Sequence, residues 1–251
     1  MTHHVCRVLA YLLSCVVWPP AALGGPPYAA DDPEPTAFQQ YEVYLFAGGE
    51  RLAGGSAAAG GIDFNYGATP DLQLTAVLPV AYEDSDGLHS GLGNGELAAK
   101  YRFLHQIDYG WDVAVFPRLF LPSASSSVGE QHAVLLLPLW VEKDFGHWST
   151  FGGGGCALNQ GGDSRNFCQM AWTLTREVTD RLRLGLELKH HTPGSVDART
   201  STGIGAGMQY NLSDHLHLLA YAASGVQNRA YTARWAWYAS LLFTFQTKDH
   251  S

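Results

Sequence analysis

From about Gln40 to Phe245 the chain repeats a single pattern: stretches of roughly ten residues in which apolar and polar side chains alternate. A period of two marks a β-strand whose two faces meet different surroundings. Leu72, Leu74, Ala76, Leu78 and Val80 share one face while Gln73 and Thr75 share the other. Leu97, Ala99, Tyr101 and Phe103 alternate with Glu96, Lys100 and Arg102, and Leu182, Leu184, Leu186 and Leu188 alternate with Arg183, Glu187 and Lys189. Charged rows need water, so one face of these strands is wet. Two architectures satisfy that condition: a soluble sandwich with a dry core, and a membrane barrel with lipid outside and a wet lumen.

Three features favour the barrel. Aromatics cap the apolar faces near strand ends (Tyr41, Tyr66, Tyr101, Phe103, Trp111, Trp148, Trp172, Tyr210 and Trp235), as at the two interfaces of a bilayer. Short connections with turn residues at 68–71, 106–108, 144–146, 179–180 and 213–214 alternate with longer Gly/Ser-rich ones at 49–56, 83–93, 122–131, 158–167, 192–201 and 225–232. The last strand sets Trp235, Trp237, Ala239, Leu241, Phe243 and Phe245 on one face, in the manner of an outer-membrane barrel's closing strand, ahead of the tail 246–251. About twelve strands are expected, over 40–48, 57–66, 72–82, 94–104, 110–121, 132–143, 148–157, 168–178, 181–191, 202–211, 215–224 and 233–245. The predicted fold is thus an all-β transmembrane antiparallel meander barrel over 39–245, with short periplasmic turns and longer outer loops. Mean hydropathy of -0.07 excludes a helical membrane bundle, and 15% charged residues with 28 glycines argues against a coiled coil or a disordered chain. A net charge of -8 with no Lys/Arg cluster excludes a nucleic-acid partner.

The N-terminus reads as an export signal. Residues 1–24 combine a weakly basic start, an apolar stretch from Val8 to Trp18, and small residues after Pro19-Pro20. The apolar run is too short to span a bilayer, and it continues past Cys15, unlike a lipoprotein signal. Residues 25–38, rich in Pro, Ala and acid, read as a flexible periplasmic lead-in. With Cys6 and Cys15 inside the signal, the exported chain keeps Cys156 and Cys168, a pair suited to a disulfide across a Gly/Asn/Asp loop. A zinc site lacks further ligands at suitable spacing.

The runs GGIDFNYGATPDLQLTAVLPVAYE, GLGNGELAAKYRFL and YNLSDHLHLLAYAASGVQN, with the aromatic closing strand, resemble the outer-membrane family named for the meta-pathway of phenol degradation, whose members are often called simply transporters. The resemblance runs from about Gly60 to Phe245. It implies a barrel and the passage of small molecules, aromatic ones included, and it brings no catalytic residues. The expected location is the outer membrane of a Gram-negative bacterium, with the bilayer, lipopolysaccharide and the barrel-assembly machinery as partners.

If the apolar face meets lipid, the lumen is lined by Glu42, Asp63, Glu96, Lys100, Arg102, Asp112, Arg118, Glu142, Arg183, Glu187, Lys189, His215 and His217. One reading is a water-filled path whose basic positions attract small organic anions. The other is a narrow barrel filled by mutually cancelling charges, with a structural or surface-interaction role. A barrel-embedded lipid hydrolase would need a Ser–His pair; His190, His191 and Ser195 lie close in sequence, with Asn65 and Asn211 elsewhere, but the H-x-S-N-G spacing is missing, so no catalytic residue is assigned. A metal would require these histidines to converge with His215 or His217 from separate strands, and neither metal nor cofactor is expected. Gly152 to Gly155 lacks the Lys-Ser/Thr and helix of a phosphate loop. Gly203, Gly205 and Gly207, alternating on the inward face, leave room for something bulky: the 25–38 segment or an inward-folded loop.

Overall fold

The computed structural model describes residues 26–52, 54–84 and 87–246. The expected signal segment with Cys6 and Cys15, and the tail past Gln246, lie outside the described residues. Among the described residues fourteen strands form one closed antiparallel sheet: β1 (Gln40–Arg51), β2 (Ser56–Thr69), β3 (Leu72–Asp84), β4 (Leu88–Leu92), β5 (Glu96–Leu104), β6 (Asp112–Val115), β7 (Arg118–Phe120), β8 (Val134–Phe145), β9 (Trp148–Asn159), β10 (Phe167–Thr179), β11 (Leu182–His191), β12 (Ser201–Ser213), β13 (Leu216–Gly225) and β14 (Trp235–Gln246). They make twelve staves, because β4 and β5 lie end to end beside β3, and β6 and β7 end to end beside β8. β1 pairs with β14 from Gln40 opposite Gln246 to Arg51 opposite Trp235, which closes the barrel. Both ends of the barrel chain therefore lie at one rim, the periplasmic rim of an outer-membrane barrel.

Local chemistry explains the interruptions. Gly93, Asn94 and Gly95 separate β4 from β5, and Phe116-Pro117 separates β6 from β7, where proline has no N–H for the ladder. Phe116 N still donates to Pro138 O at 3.1 Å, so the wall stays sealed there. Three periplasmic turns share one device: register shifts at Gly67/Thr69, Glu177/Thr179 and Asn211/Ser213, each with a hydroxyl (Thr69, Thr179, Ser213) accepting the N–H two residues on. Where the sequence suggested a plain turn, Gln106–Tyr109 forms one helical turn, ended by Gly110 at φ 79°.

The inside–outside polarity is inverted relative to a soluble protein. Leu78 and Leu186 on the outward face are 73% and 67% exposed, while Lys100 and Thr173 on the inward face are 4% and 0% exposed. Soluble monomers do not carry a continuous apolar belt of this kind around their circumference. The soluble sandwich falls here: the medium around this sheet is hydrocarbon, and its interior is the polar lumen. Cys156 and Cys168 form the expected disulfide, directly across the β9–β10 ladder at the base of the loop that joins the two strands.

Candidate functional site

The lumen is occupied by the chain's own N-terminal segment. Residues 26–38, expected to be a flexible lead-in, instead enter from the periplasmic rim and run up the barrel interior. Gln39 takes φ 62° at the entry, where its N–H donates to Gly67 O at 2.8 Å and Phe38 bridges to Gly67. Pro33 and Pro35 favour an extended backbone that cannot pair with the walls as a strand, so side chains do the docking. Thr36 donates through N and Oγ1 to Gln73 Oε1, at 2.8 and 3.1 Å. Lys100 Nζ reaches up from β5 to Asp31 at 2.8 Å, Asp32 at 3.4 Å and Glu34 O at 3.3 Å. Ala30 N donates to Glu187 Oε1 at 2.8 Å, and the Tyr221 hydroxyl donates to the other Glu187 oxygen.

Mid-barrel, the plug turns apolar. Ala30 packs with Phe116, Trp140, Phe151 and Ala171, and the Tyr28 ring meets Phe151 and Tyr221 edge-on at 5.9 and 5.8 Å. Tyr28 lies over Gly185 and Gly207, cross-strand neighbours in the β11–β12 ladder; a Cβ on either would strike its ring. The bulky group for which the alternating glycines leave room is thus Tyr28 at Gly207, with Tyr221 at Gly205 and the Lys189 stem at Gly203. Burial pushes the carboxyls of Asp32 and Glu34 up to about 7, against the opposing pull of Lys100 on the first and of Arg102 on the second.

Twelve of the thirteen predicted lumen side chains lie on inward-facing strand positions. Arg118 makes a two-pronged pair with Glu96 at 2.7 and 2.9 Å, Arg102 lies between Asp71 and Asp112 at 3.5 and 3.7 Å, and Arg183 holds Glu177 at 2.9 Å. Glu142 accepts from the Ser149 hydroxyl at 2.6 Å, and His217 Nδ1 lies 2.8 Å from Asn211 Oδ1. Lys189 lies over the Tyr221 ring at 5.4 Å. His215 is the exception: it sits exposed in the β12–β13 turn, because β13 begins one residue later than the alternation suggested. With the plug docked, Lys100, Arg102, Arg118 and Arg183 are each paired with a carboxylate. His190 is bonded to the Thr202 hydroxyl and Ser195 lies in an exposed loop opposite Ser164, so the structure does not join them as a hydrolase pair. Among the described residues no group of three or more His, Cys, Asp or Glu is placed to hold a metal. The lumen side chains that alternation could not reveal are those of the plug, Tyr28, Asp31, Asp32 and Glu34, since they belong to no strand; the glycine row facing them was their one trace.

Beside the plug, a cavity of about 620 Å³ runs from Gln40 and Pro70 near the periplasmic rim, past Glu42, Asp63 and Lys100, to Asn94 and Phe120 towards the outer end. A second, of about 420 Å³, lies between Ala29 and the outer ends of β10 to β14.

Residues 36–241 match the family described as "Putative MetA-pathway of phenol degradation". The chain belongs to this family. The match begins at Thr36, so the charged and aromatic part of the plug precedes it. No curated protein matches the chain by sequence. Among solved structures, an outer membrane channel from Pseudomonas putida F1 is similar over 85% of this chain and 98% of its own, at 14% identity and a TM-score of 0.71. The KdgM porin, solved with disordered oligogalacturonate, is similar over 82% of this chain and 99% of its own, at 10% identity and a TM-score of 0.54. The NanC porin covers 80% and 98% at 8% identity and a TM-score of 0.55. At these identities the likeness is one of fold, that of outer-membrane barrels.

Proposed function

We propose that this family member is an outer-membrane channel of a Gram-negative bacterium that passes small, water-soluble molecules and is gated by its own residues 26–38. The observation that carries the reading is the docked plug with an elongated cavity along its flank. A barrel whose interior served only as a core would have no need of polar side chains facing a void of this size. The apolar belt and the barrel fold place the chain in the outer membrane, and they support lipopolysaccharide and the barrel-assembly machinery as its proposed partners. The plug leaves through the rim by which it entered, turning about Gln39, and its departure frees Lys100 for a passing solute.

The test is planar-bilayer conductance of the refolded exported chain beside a variant lacking residues 26–36. The full chain is expected to show low conductance with brief wider openings, and the deletion steady, larger conductance. Changing Lys100 and Arg102 to Glu is expected to shift ion selectivity. Silence from both the chain and its deletion variant, each shown to be folded by heat-modifiable mobility, overturns the reading in favour of a closed barrel with a surface role.

A further inference from the structure

We infer that the path beside the plug selects small organic cations, with Asp63 setting the preference for positive charge and the rings of Tyr44, Phe46 and Tyr238 receiving the cation's apolar part. The inference rests on the channel reading and names its solute class.

Charge comes first. The cavity's acidic lining is Asp31, Asp32, Glu34, Glu42, Asp63 and Glu96, against Lys100, Arg102 and Arg118. All three bases are committed to carboxylates, so the surplus is negative. Asp63, Glu42 and, on the plug, Glu34 carry that surplus: among the described residues none of the three forms an ion pair. Asp63 accepts from Asn65 Nδ2 at 3.0 Å, and Glu42 from the Tyr44 hydroxyl at 3.3 Å. Arg118, which lines the same cavity as Asp63, is held by both oxygens of Glu96. From the plug side Asp32 is 1% exposed, and its Oδ2 accepts no hydrogen bond from any described residue. A mobile cation in the cavity gains from each of these groups; an anion gains from none.

The second element is aromatic. Asp63 stands opposite Tyr44 in the β1–β2 register, and Phe46 and Tyr238 stack at 6.3 Å on the adjoining stretch of the same cavity wall. A cation with apolar substituents is attracted to the faces of such rings while its charge stays near a carboxylate. The same lumen already holds its own cations in this way. Lys100 Nζ lies 5.2 Å from the Phe116 ring centre, and Arg118 lies 5.5 Å from those of Phe116 and Phe120, each with a carboxylate on its other side.

The experiment measures reversal potentials across planar bilayers holding the exported chain, first in a KCl gradient and then with potassium opposed by tetramethylammonium. The expected result is a cation-side reversal, with tetramethylammonium passing more readily than its size alone allows. Asp63→Asn is expected to reduce the preference for cations, and Asp63→Glu to restore it. Tyr238→Leu should lower tetramethylammonium relative to potassium by about 2- to 5-fold, the weight of one exposed cation–π contact. If the full chain conducts too little, the same comparisons are made in the 26–36 deletion combined with Lys100→Met, which keeps Asp63 and the rings and leaves no lysine unpaired by the loss of Asp31 and Asp32. Currents with an anion-side reversal, or currents unmoved by Asp63→Asn, overturn the inference while leaving the channel reading intact. Absence of current from both chains overturns both.

Discussion

Replacing Lys100 with Met tests the gate at its strongest attachment. Lys100 is 4% exposed, and its ammonium holds two plug carboxylates and a plug carbonyl at 2.8 to 3.4 Å. Removing one partner from a buried ion pair destabilises by about 3–5 kcal/mol, chiefly because the other charge stays buried alone. The structure points to the low end. Asp32, whose carboxyl burial already lifts to about 7, can escape by taking up a proton, and Thr36, Ala30 and Tyr28 still hold the plug. About 3 kcal/mol of lost docking changes the ratio of plugged to unplugged barrels by about 100-fold. Single-channel recordings read that ratio as closed against open dwell time, with the open state expected to dominate in Lys100→Met. Gly207→Val gives an independent check, since it removes no charge and opens the channel only if Tyr28 is displaced. Closed times unchanged in both variants, with the barrel still folded by heat-modifiable mobility, would refute the argument that these contacts hold the plug.

The remaining predictions follow from the same contacts. Asp32 and Glu34 titrate near 7 when docked and nearer 4 when released, so the docked plug binds more protons; plug docking is fully supported below about pH 4 and weakens as pH rises through 7, and open time should lengthen between pH 5 and pH 8 in recordings at fixed voltage. Leu186→Arg places a charge at the lipid-facing middle of β11 and should cost about 2–4 kcal/mol in urea unfolding from vesicles, whereas an exposed leucine of a soluble protein would accept the change almost freely. Changing both Cys156 and Cys168 to Ser releases a bridge of sequence separation 12 and should lower stability by about 3 kcal/mol on the chain-entropy account, with conductance unaltered because the bond lies in the wall, away from the plug.

Much of the barrel is legible before any coordinates. Strand β11 shows why: Leu184, Leu186 and Leu188 against Arg183, Glu187 and Lys189 has one solution when the apolar row must leave water and the charged row must keep it, and a one-residue slip would exchange the two. The turns at Thr69, Thr179 and Ser213 are equally local, since a hydroxyl bonding the backbone two residues on needs no distant partner. His215 shows where such reasoning fails, because alternation cannot locate the residue at which a strand yields to its turn. The breaks around Gly93-Asn94-Gly95 and Phe116-Pro117 also escaped, since a closed sheet can absorb them only if neighbouring staves supply the missing bonds.

The lumen is divided in the same way. That Lys100, Arg102 and Arg118 face inward follows from alternation and the wetness of the lumen, and the pattern of side chains along the chain determined it. Which carboxylate each meets depends on strand stagger around the barrel, and in the case of Lys100 on a segment far away in sequence. Residues 26–38 carry no period because they pair with no strand, and an acidic, proline-rich stretch reads as a linker whenever it is considered alone. Their place inside the barrel comes from the Gly185–Gly207 seat for Tyr28 and from the need of a buried lysine for anions. Sequence by itself determined a lipid-facing wall around a polar interior, because local alternation is enough to sort side chains between two media. Only the tertiary structure decided what fills that interior, because closing the barrel brings together groups whose charges and shapes complement one another but whose positions in the chain bear no periodic relation.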